Sequence, residues 1–316
     1  VPPKKRVDVA VAVVFNPAGE VLWASRPEGK PYAGYWEFPG GKVEPGESVW
    51  QCLVRELKEE LDITCTEGGP WFRIEHDYEH AAVRLHLYRV WQYTGQPRAL
   101  EQQQFTWAPL NSRDPAQPNL APILPATAPL LPILAQPTFM ALSSYGQGFE
   151  ACARRLESWF AQLTEPVYLQ FREKELSGEA LRRAFLHAQS LCVGTPHQLV
   201  VNSACLNALE SACGKAIDCA VHLTEHDLNS PEPWLGRSLV GASVHSAVGL
   251  EKAFLLGLKY TVLGAVKATA SHPGQDGLGW AAFQQLAIEA RLPVFAIGGL
   301  CASDAEVAKR NGAHGI

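Results

Sequence analysis

The sequence has no apolar run close to the ~18 residues that a membrane-crossing helix needs, so no membrane is expected as a partner. Its eight cysteines contain no C-x-x-C pair and follow no regular spacing. A disulfide framework and a zinc site are therefore not expected, and a reducing cytoplasm fits. Cys219 and His222 stand close together, but strand periodicity makes them a packed pair rather than metal ligands. Positive charge is also scarce: the net charge of -5 argues against sequence-independent binding to a nucleic-acid polymer, which needs a basic footprint. No signal peptide is expected, and "PPKKR" reads as a frayed terminus rather than an address. What is present is ordinary globular material. With 316 residues, 47% of them apolar and 19% charged, the chain has room for two domains.

One short region carries an unusual density of carboxylates. Read as a helix from about 48 to 61, "SVWQCLVRELKEEL" places Glu56, Glu59 and Glu60 at i, i+3 and i+4, on one side. Like charges at that spacing repel, and only Arg55 and Lys58 offset them. A solvated acidic face is the plain reading. Hard divalent cations make such a cluster favourable, because Mg2+ takes oxygen ligands and keeps waters for substrate phosphates. The Gly/Pro-punctuated "EFPGGKVEPGE" leads straight into the helix, so the chain is shaped before the carboxylates appear.

Gly41, five residues, Glu47, seven residues, then Arg55-Glu56-Leu57-x-Glu59-Glu60 and apolar Ile63 resembles the Nudix box. Asp62 stands where that family usually has Gly. A left-handed helix terminus is expected there, because Asp is among the few residues that tolerate it. The resemblance extends over about 7–134 and is to the MutT-type hydrolases of oxidised nucleoside triphosphates. It implies an α/β/α sandwich over residues 1–134, Mg2+ as cofactor with Mn2+ as an alternative, and a nucleoside triphosphate as substrate. It assigns Glu56, Glu59 and Glu60 to the metal, with Glu47 and the Gly40 backbone contributing, and Glu101 in "RALEQQQFTW" as ligand or base. Substrate contacts fall on Arg26, Glu37, Phe38, Lys42 and Asn119, the last in "QPNLAP" as the reader of the purine edge. Arg55 is implied to orient a glutamate through a bidentate bond.

From Pro109 to Pro137 the chain is rich in proline, which forbids a long regular helix and suggests an extended connection. Its Leu and Ile residues imply that this connection is docked on a domain surface. Beyond it, short apolar runs alternate with amphipathic helical patterns: "TFMALSS", "VYLQFRE", "QLVVNS", "CAVHLTE", "SLVGASV", "YTVLGAV", "PVFAIGG" and a final "HGI". Continuous apolar strands separated by helices imply a parallel sheet, and eight of them imply a TIM (β/α)8-type barrel over 138–316 that lacks its last helix.

Polar residues end these strands, where barrels keep their chemistry. The order of "QFREK", "VNS", "VHLTEHD", "GASVHS", "LGAVKAT" and "FAIGG" resembles thiamine phosphate synthase and the related TenI proteins. That resemblance implies a thiazole phosphate or thiamine-related ligand. It places Arg172 and Lys174 on pyrophosphate, Asn202 and Asp227 at the metal, and His245 as a proton-transfer residue. Gly298 and Gly299 are either a phosphate cradle or a tight turn. The chain departs from the synthase in two places. Asn202-Ser203 replaces an Asn-Asp pair, and Thr269-Ala270-Ser271-His272 replaces Thr-x-Thr-Lys. Three functional classes remain open: a nucleotide-pool sanitiser acting on 8-oxo-dGTP, a thiamine-linked Nudix enzyme acting on damaged thiamine diphosphate, and a hydrolase carrying a barrel that only binds or stabilises.

Overall fold

The computed structural model describes residues 6–79, 81–110, 120–269, 274 and 276–316. The chain divides into two compact units. One comprises Val1–Gln136 with the short segments Ala287–Arg291 and Lys309–Gly312; the other comprises Pro137–Leu286, Leu292–Ala308 and Ala313–Ile316. No helix among the described residues is long and apolar enough to cross a membrane.

The first unit is built on β1 (Arg6–Val14), whose period-two alternation serves two cores. Ala10, Ala12 and Val14 face helix α1 (Val49–Leu61) and its buried Cys52, Leu53, Leu57 and Leu61. Val11 and Val13 face a second cluster with Trp23, Phe38, Trp71 and Leu130. The remaining strands are β2 (Val21–Ser25), β3 (Trp36–Glu37), β4 (Gly40–Lys42), β5 (Thr64–Asp77), β6 (Ala82–Thr94) and β7 (Phe105–Ala108). They form two sheets, β4-β1-β6-β5 and β3-β2-β7, with β1 parallel to β6 and antiparallel to β4.

Helix α1 starts at a capping box in which the Gln51 amide donates to Ser48 Oγ at 3.2 Å and the Ser48 amide donates to Gln51 Oε1 at 2.7 Å. It stops at Asp62, whose φ of 57° and ψ of 25° are left-handed; its N–H returns to the carbonyls of Leu57 and Lys58. Lys58, one turn earlier, pairs with the Asp62 carboxylate.

The apolar residues of the proline-rich stretch pack on the first unit, as a docked connection requires, but more deeply than on its surface and not in extended form. Leu124, Ala126, Leu130 and Leu134 are core residues of the first unit, and the chain turns helical at Ala128–Leu130 and in α2 (Leu131–Leu134). Proline at the first helical turn costs little, since its missing N–H would have no partner there. Residues 111–119, Asn119 among them, lie outside the described residues.

Among the described residues of the second unit seven strands run parallel in chain order: β8 (Met140–Leu142), β9 (Tyr168–Phe171), β10 (Gln198–Asn202), β11 (Ala220–Leu223), β12 (Ser238–Val244), β13 (Tyr260–Gly264) and β14 (Val294–Ile297). Helices α3 (Phe149–Phe160), α4 (Gly178–Cys192), α5 (Ser203–Cys213), α6 (Glu225–Asn229), α7 (Ala247–Leu255), α8 (Gly279–Ala287) and α9 (Ala305–Arg310) fall between or after them. The final "HGI" closes the ring. On one side the His314 amide donates to Val294 O at 2.7 Å and the Ala296 amide to Gly315 O at 2.9 Å. On the other, the Met140 amide donates to Ile316 O at 2.8 Å and the Ile316 amide to Thr138 O at 3.1 Å.

Closure depends on backbone contact at Gly315, where a Cβ would sit 1.8 Å from Thr138 O. Gly315→Ala is therefore expected to destabilise the barrel by roughly 1–3 kcal/mol, the usual cost of forcing an added methyl into a packed site. Urea unfolding of the full chain measures this, and an unchanged barrel transition would show that the segment does not close the ring.

Candidate active site

Glu56, Glu60 and Glu101 line one cavity of about 590 Å³ in the first unit. Helix α1 delivers the first two, and the loop before β7 delivers Glu101. Gly41 makes room for Glu56: a Cβ there would meet the Glu56 carboxyl carbon at 2.0 Å. At Gly40 a Cβ would lie 2.0 Å from Ala10 O, so the strand pairing of β4 with β1 also requires glycine. Arg55 organises one side of the cluster. Its Nε and Nη2 donate to Glu47 at 3.2 and 2.7 Å, and its Nη1 to Glu56 at 2.8 Å and Glu59 at 3.2 Å. The Arg55 guanidinium, together with the Glu44 amide, holds the Glu47 carboxyl down to about 2.

Glu60 is in the opposite situation. Among the described residues its carboxylate has no hydrogen bond or ion pair, and burial, reinforced by Glu56 and Glu101, pushes its pKa up to about 8. Glu101 is paired with Lys30 Nζ at 2.8 Å. Glu59 is largely exposed and reaches Arg55 rather than the cavity. Among the described residues no three carboxylate, imidazole or thiol groups are gathered closely enough to hold an ion as they stand. The donor chemistry nonetheless fits Mg2+ or Mn2+: three carboxylates face one space, and one is both unpartnered and strained by its neighbours' charge.

The rest of the cavity is of another character. Arg26 and Lys42 bring positive charge, with Arg26 Nη1 donating to Glu37 Oε1 at 2.7 Å. Burial raises the Glu37 pKa, and Arg26 opposes that rise. Phe38 is buried against Trp23, with ring centroids 4.5 Å apart, and forms part of the wall. Tyr78, Leu124 and Leu130 continue the apolar surface. The cavity thus has a carboxylate end, cationic flanks and an apolar wall.

In the barrel the expected residues lie at the strand ends but do not share one environment. Asn202 is buried, caps α5 by accepting from the Ala204 amide at 3.1 Å, and approaches Gln170 at 3.5 Å. Ser203 Oγ donates to Asp227 Oδ2 at 2.6 Å, and the Thr224 amide donates to the same oxygen at 3.1 Å. Asp227 is thereby committed to the capping box of α6. His245 Nδ1 donates to Gly264 O at 2.5 Å, leaving Nε2 3.8 Å from Glu225. The Arg172 amide donates to Ser143 Oγ at 3.0 Å, and Lys174 is exposed. Arg172 also helps depress His222, whose burial brings its pKa down to about 3. His222 is satisfied by Tyr260 and Ser243. Gly298 and Gly299 have φ of 97° and 66° and approach Ala265 and Lys267 so closely that a Cβ at either would clash. Ala270, Ser271 and His272 lie outside the described residues.

Residues 4–127 match the NUDIX domain family, and residues 149–316 match the thiamine monophosphate synthase family. The chain belongs to both families. The Nudix unit is 39% identical over 127 residues to CTP pyrophosphohydrolase of Escherichia coli, covering 40% of this chain and 90% of that protein. It is 33% identical over 114 residues to an 8-oxo-dGTP diphosphatase of Haemophilus influenzae, covering 36% and 84%. The solution structure of the E. coli ORF135 protein shares 36% identity over 41% of this chain and 88% of its own, with a TM-score of 0.35. The barrel is 31% identical over 148 residues to thiamine-phosphate synthase of Thermosynechococcus vestitus, of which the chain spans 41%.

Two groups in the Nudix cavity escape a reading by motif. Gln103 is buried; its Nε2 donates to Glu60 O at 2.7 Å, and its Oε1 accepts from the Glu101 amide at 2.8 Å. It joins the helix end to the Glu101 loop. Lys30, the partner of Glu101, sits in a turn-rich segment that reads as polar connection. The polar run "EQQQ" contains the only sequence signal for Gln103.

Metal binding should be linked to proton release at Glu60. Below a pKa of about 8 the proton must leave before the oxygen can serve as a ligand, so Mg2+ affinity should rise with pH up to about 8 and then level off. Calorimetric titration of the nucleotide-free protein in buffers of different ionisation enthalpy measures the protons released. Release that is zero near neutral pH would show that Glu60 is not both protonated in the free protein and a ligand in the loaded one.

Proposed function

We propose that the Nudix unit is a divalent-metal-dependent pyrophosphohydrolase of nucleoside triphosphates, with 8-oxo-dGTP as the favoured substrate. The supporting observation is the single cavity in which Glu56, Glu60 and Glu101 meet Arg26, Lys42 and an apolar wall. A triphosphate needs the charged end, and a base needs the apolar one. Glu56, Glu60 and Glu101 would hold Mg2+, with Glu47 and Glu59 contributing through their common partner Arg55. Bound Mg2+ supplies neutralisation of phosphate oxygen charge and lowers the pKa of water.

The chain's own groups orient the reactants. Arg55 fixes Glu47 and Glu56, Gln103 holds the Glu101 loop to the end of α1, and the cations attract the triphosphate. Phe38 and its apolar neighbours keep water from the base. The products are a nucleoside monophosphate and pyrophosphate, which serves to clear an oxidised nucleotide from the pool before DNA replication and repair draw on it.

A second reading, CTP as substrate, is supported by the 39% identity to CTP pyrophosphohydrolase. Chromatography of the monophosphate product from 8-oxo-dGTP, dGTP, CTP and oxidised thiamine diphosphate separates these readings. The expected order places 8-oxo-dGTP first by kcat/KM. Preference for CTP would move the assignment to the second reading, and preference for the thiamine compound would overturn both. In the same assay Glu56→Gln should lower kcat by about a hundredfold or more, because charge stabilisation by the metal contributes several kcal/mol.

The barrel, in this reading, does not make thiamine phosphate. Its one retained acidic ligand position, Asp227, is occupied by Ser203 and Thr224, and the partner carboxylate is absent. A hard dication held by one carboxylate fewer is bound weakly. His245 keeps Nε2 available, which supports binding of a thiazole phosphate or a TenI-like proton transfer. The full chain, given the pyrophosphate ester, the thiazole phosphate and Mg2+, should yield no thiamine phosphate. Detection of that product by fluorescence after oxidation would sink the claim.

A further inference from the structure

Building on the metal-dependent reading of the Nudix cavity, we propose that Lys30 is a resident counter-ion for Glu101, one that yields this carboxylate to the divalent cation and then binds the triphosphate.

The placement of the charges points to this exchange. Of the three carboxylates facing the cavity, Glu56 is covered by Arg55, Glu60 is unpartnered among the described residues, and Glu101 is held by Lys30 Nζ at 2.8 Å. The attraction on Lys30 comes first from its hydrogen bond to Glu101. The ammonium therefore lies on the side of the cavity where ligand oxygens would gather. An ammonium and a divalent cation cannot share one carboxylate oxygen at full strength. Glu101 would therefore pass from the ammonium to a cation of twice the charge, for which carboxylate oxygen is the preferred ligand.

Lys30 and Glu101 are 47% and 42% exposed, and pairs of that exposure contribute little and exchange readily. The loop that presents Lys30 does not depend on the pair. It is a turn with positive φ at Gly29, Tyr32 and Gly34 (84°, 62° and 80°), closed by the Gly34 amide on Arg26 O at 2.9 Å and by Arg26 Nε on Pro31 O at 2.8 Å. Release of Lys30 from Glu101 thus leaves its anchorage intact. Arg26 already serves Glu37 and Pro31, whereas Lys30, once displaced, presents a compact ammonium with three donors in the same cavity as Lys42. Phosphate oxygens are its natural next partner.

The exchange makes two effects of opposite sign. In the nucleotide-free protein Lys30→Gln should tighten Mg2+ binding by about two- to fivefold, because a competitor of the exposed-pair class has gone. With nucleotide, the same variant should raise KM by roughly tenfold, the value of a charge-assisted bond to phosphate, with the loss in KM rather than kcat. Lys30→Arg should restore both. Calorimetry of Mg2+ binding without nucleotide, Mn2+ binding by electron paramagnetic resonance and steady-state kinetics provide the readouts. Unchanged or weaker Mg2+ affinity in Lys30→Gln would overturn the proposal. Glu101→Gln in the same titration separates the two levels. If it weakens Mg2+ binding while Lys30→Gln does nothing, only the exchange fails. If Glu101→Gln leaves Mg2+ affinity unchanged, the role of Glu101 as ligand fails, and the exchange with it.

Discussion

The repulsion among carboxylates at the end of α1 is the constraint around which the Nudix unit is arranged. Glu56, Glu59 and Glu60 stand within one turn, and Glu47 and Glu101 are brought toward them by loops. A helix face of this kind stands only if cations are placed against it. Arg55 answers for Glu47, Glu56 and Glu59 through a single guanidinium. Glu60, which Arg55 does not reach, carries a raised pKa, first from its burial and then from the charges of Glu56 and Glu101. The capping box at Ser48, the left-handed stop at Asp62 and the apolar side of α1 keep the face in register with β4.

Glycine enters the same balance through space rather than flexibility. A side chain at Gly41 would occupy the volume of the Glu56 carboxylate, and one at Gly40 would break the pairing of β4 with β1. The loop before the helix is therefore part of the carboxylate site. The proline-rich segment supplies Leu124 and Leu130 to the wall, so its uncharged second half, residues 120–137, still shapes the end where a base would lie.

The barrel follows a different logic. Strands such as β9 and β13 are buried on both faces, and polar groups gather at the strand ends, yet those groups are largely spent on one another. Asp227 completes the capping box of α6 and accepts from Ser203, Asn202 caps the preceding helix α5, and His222 is satisfied within the core. His245 is the exception, since its Nδ1 is fixed by a carbonyl while Nε2 makes no hydrogen bond and has only the Glu225 carboxylate, 3.8 Å away, beside it. Ser203 places a neutral hydroxyl against Asp227, and the resulting hydrogen-bonded pair suits a packed end better than an ion site.

Much of this was legible in the residues alone. The Nudix spacing located α1 and the left-handed terminus at Asp62, because helix periodicity and capping are local. The apolar runs located all seven barrel strands and the closing "HGI", because strands buried on both faces need no partner to be recognised. Tertiary structure decided what depends on residues distant in sequence. It turned the second half of the proline-rich stretch into core, since burial there is set by β1 and Trp23. It sent Glu59 to Arg55 instead of the cavity, since helix spacing fixes a face but not which neighbour that face meets. It also brought Gln103 and Lys30 to Glu60 and Glu101, because polar residues in a loop acquire a role only when the fold places a carbonyl or a carboxylate in their reach.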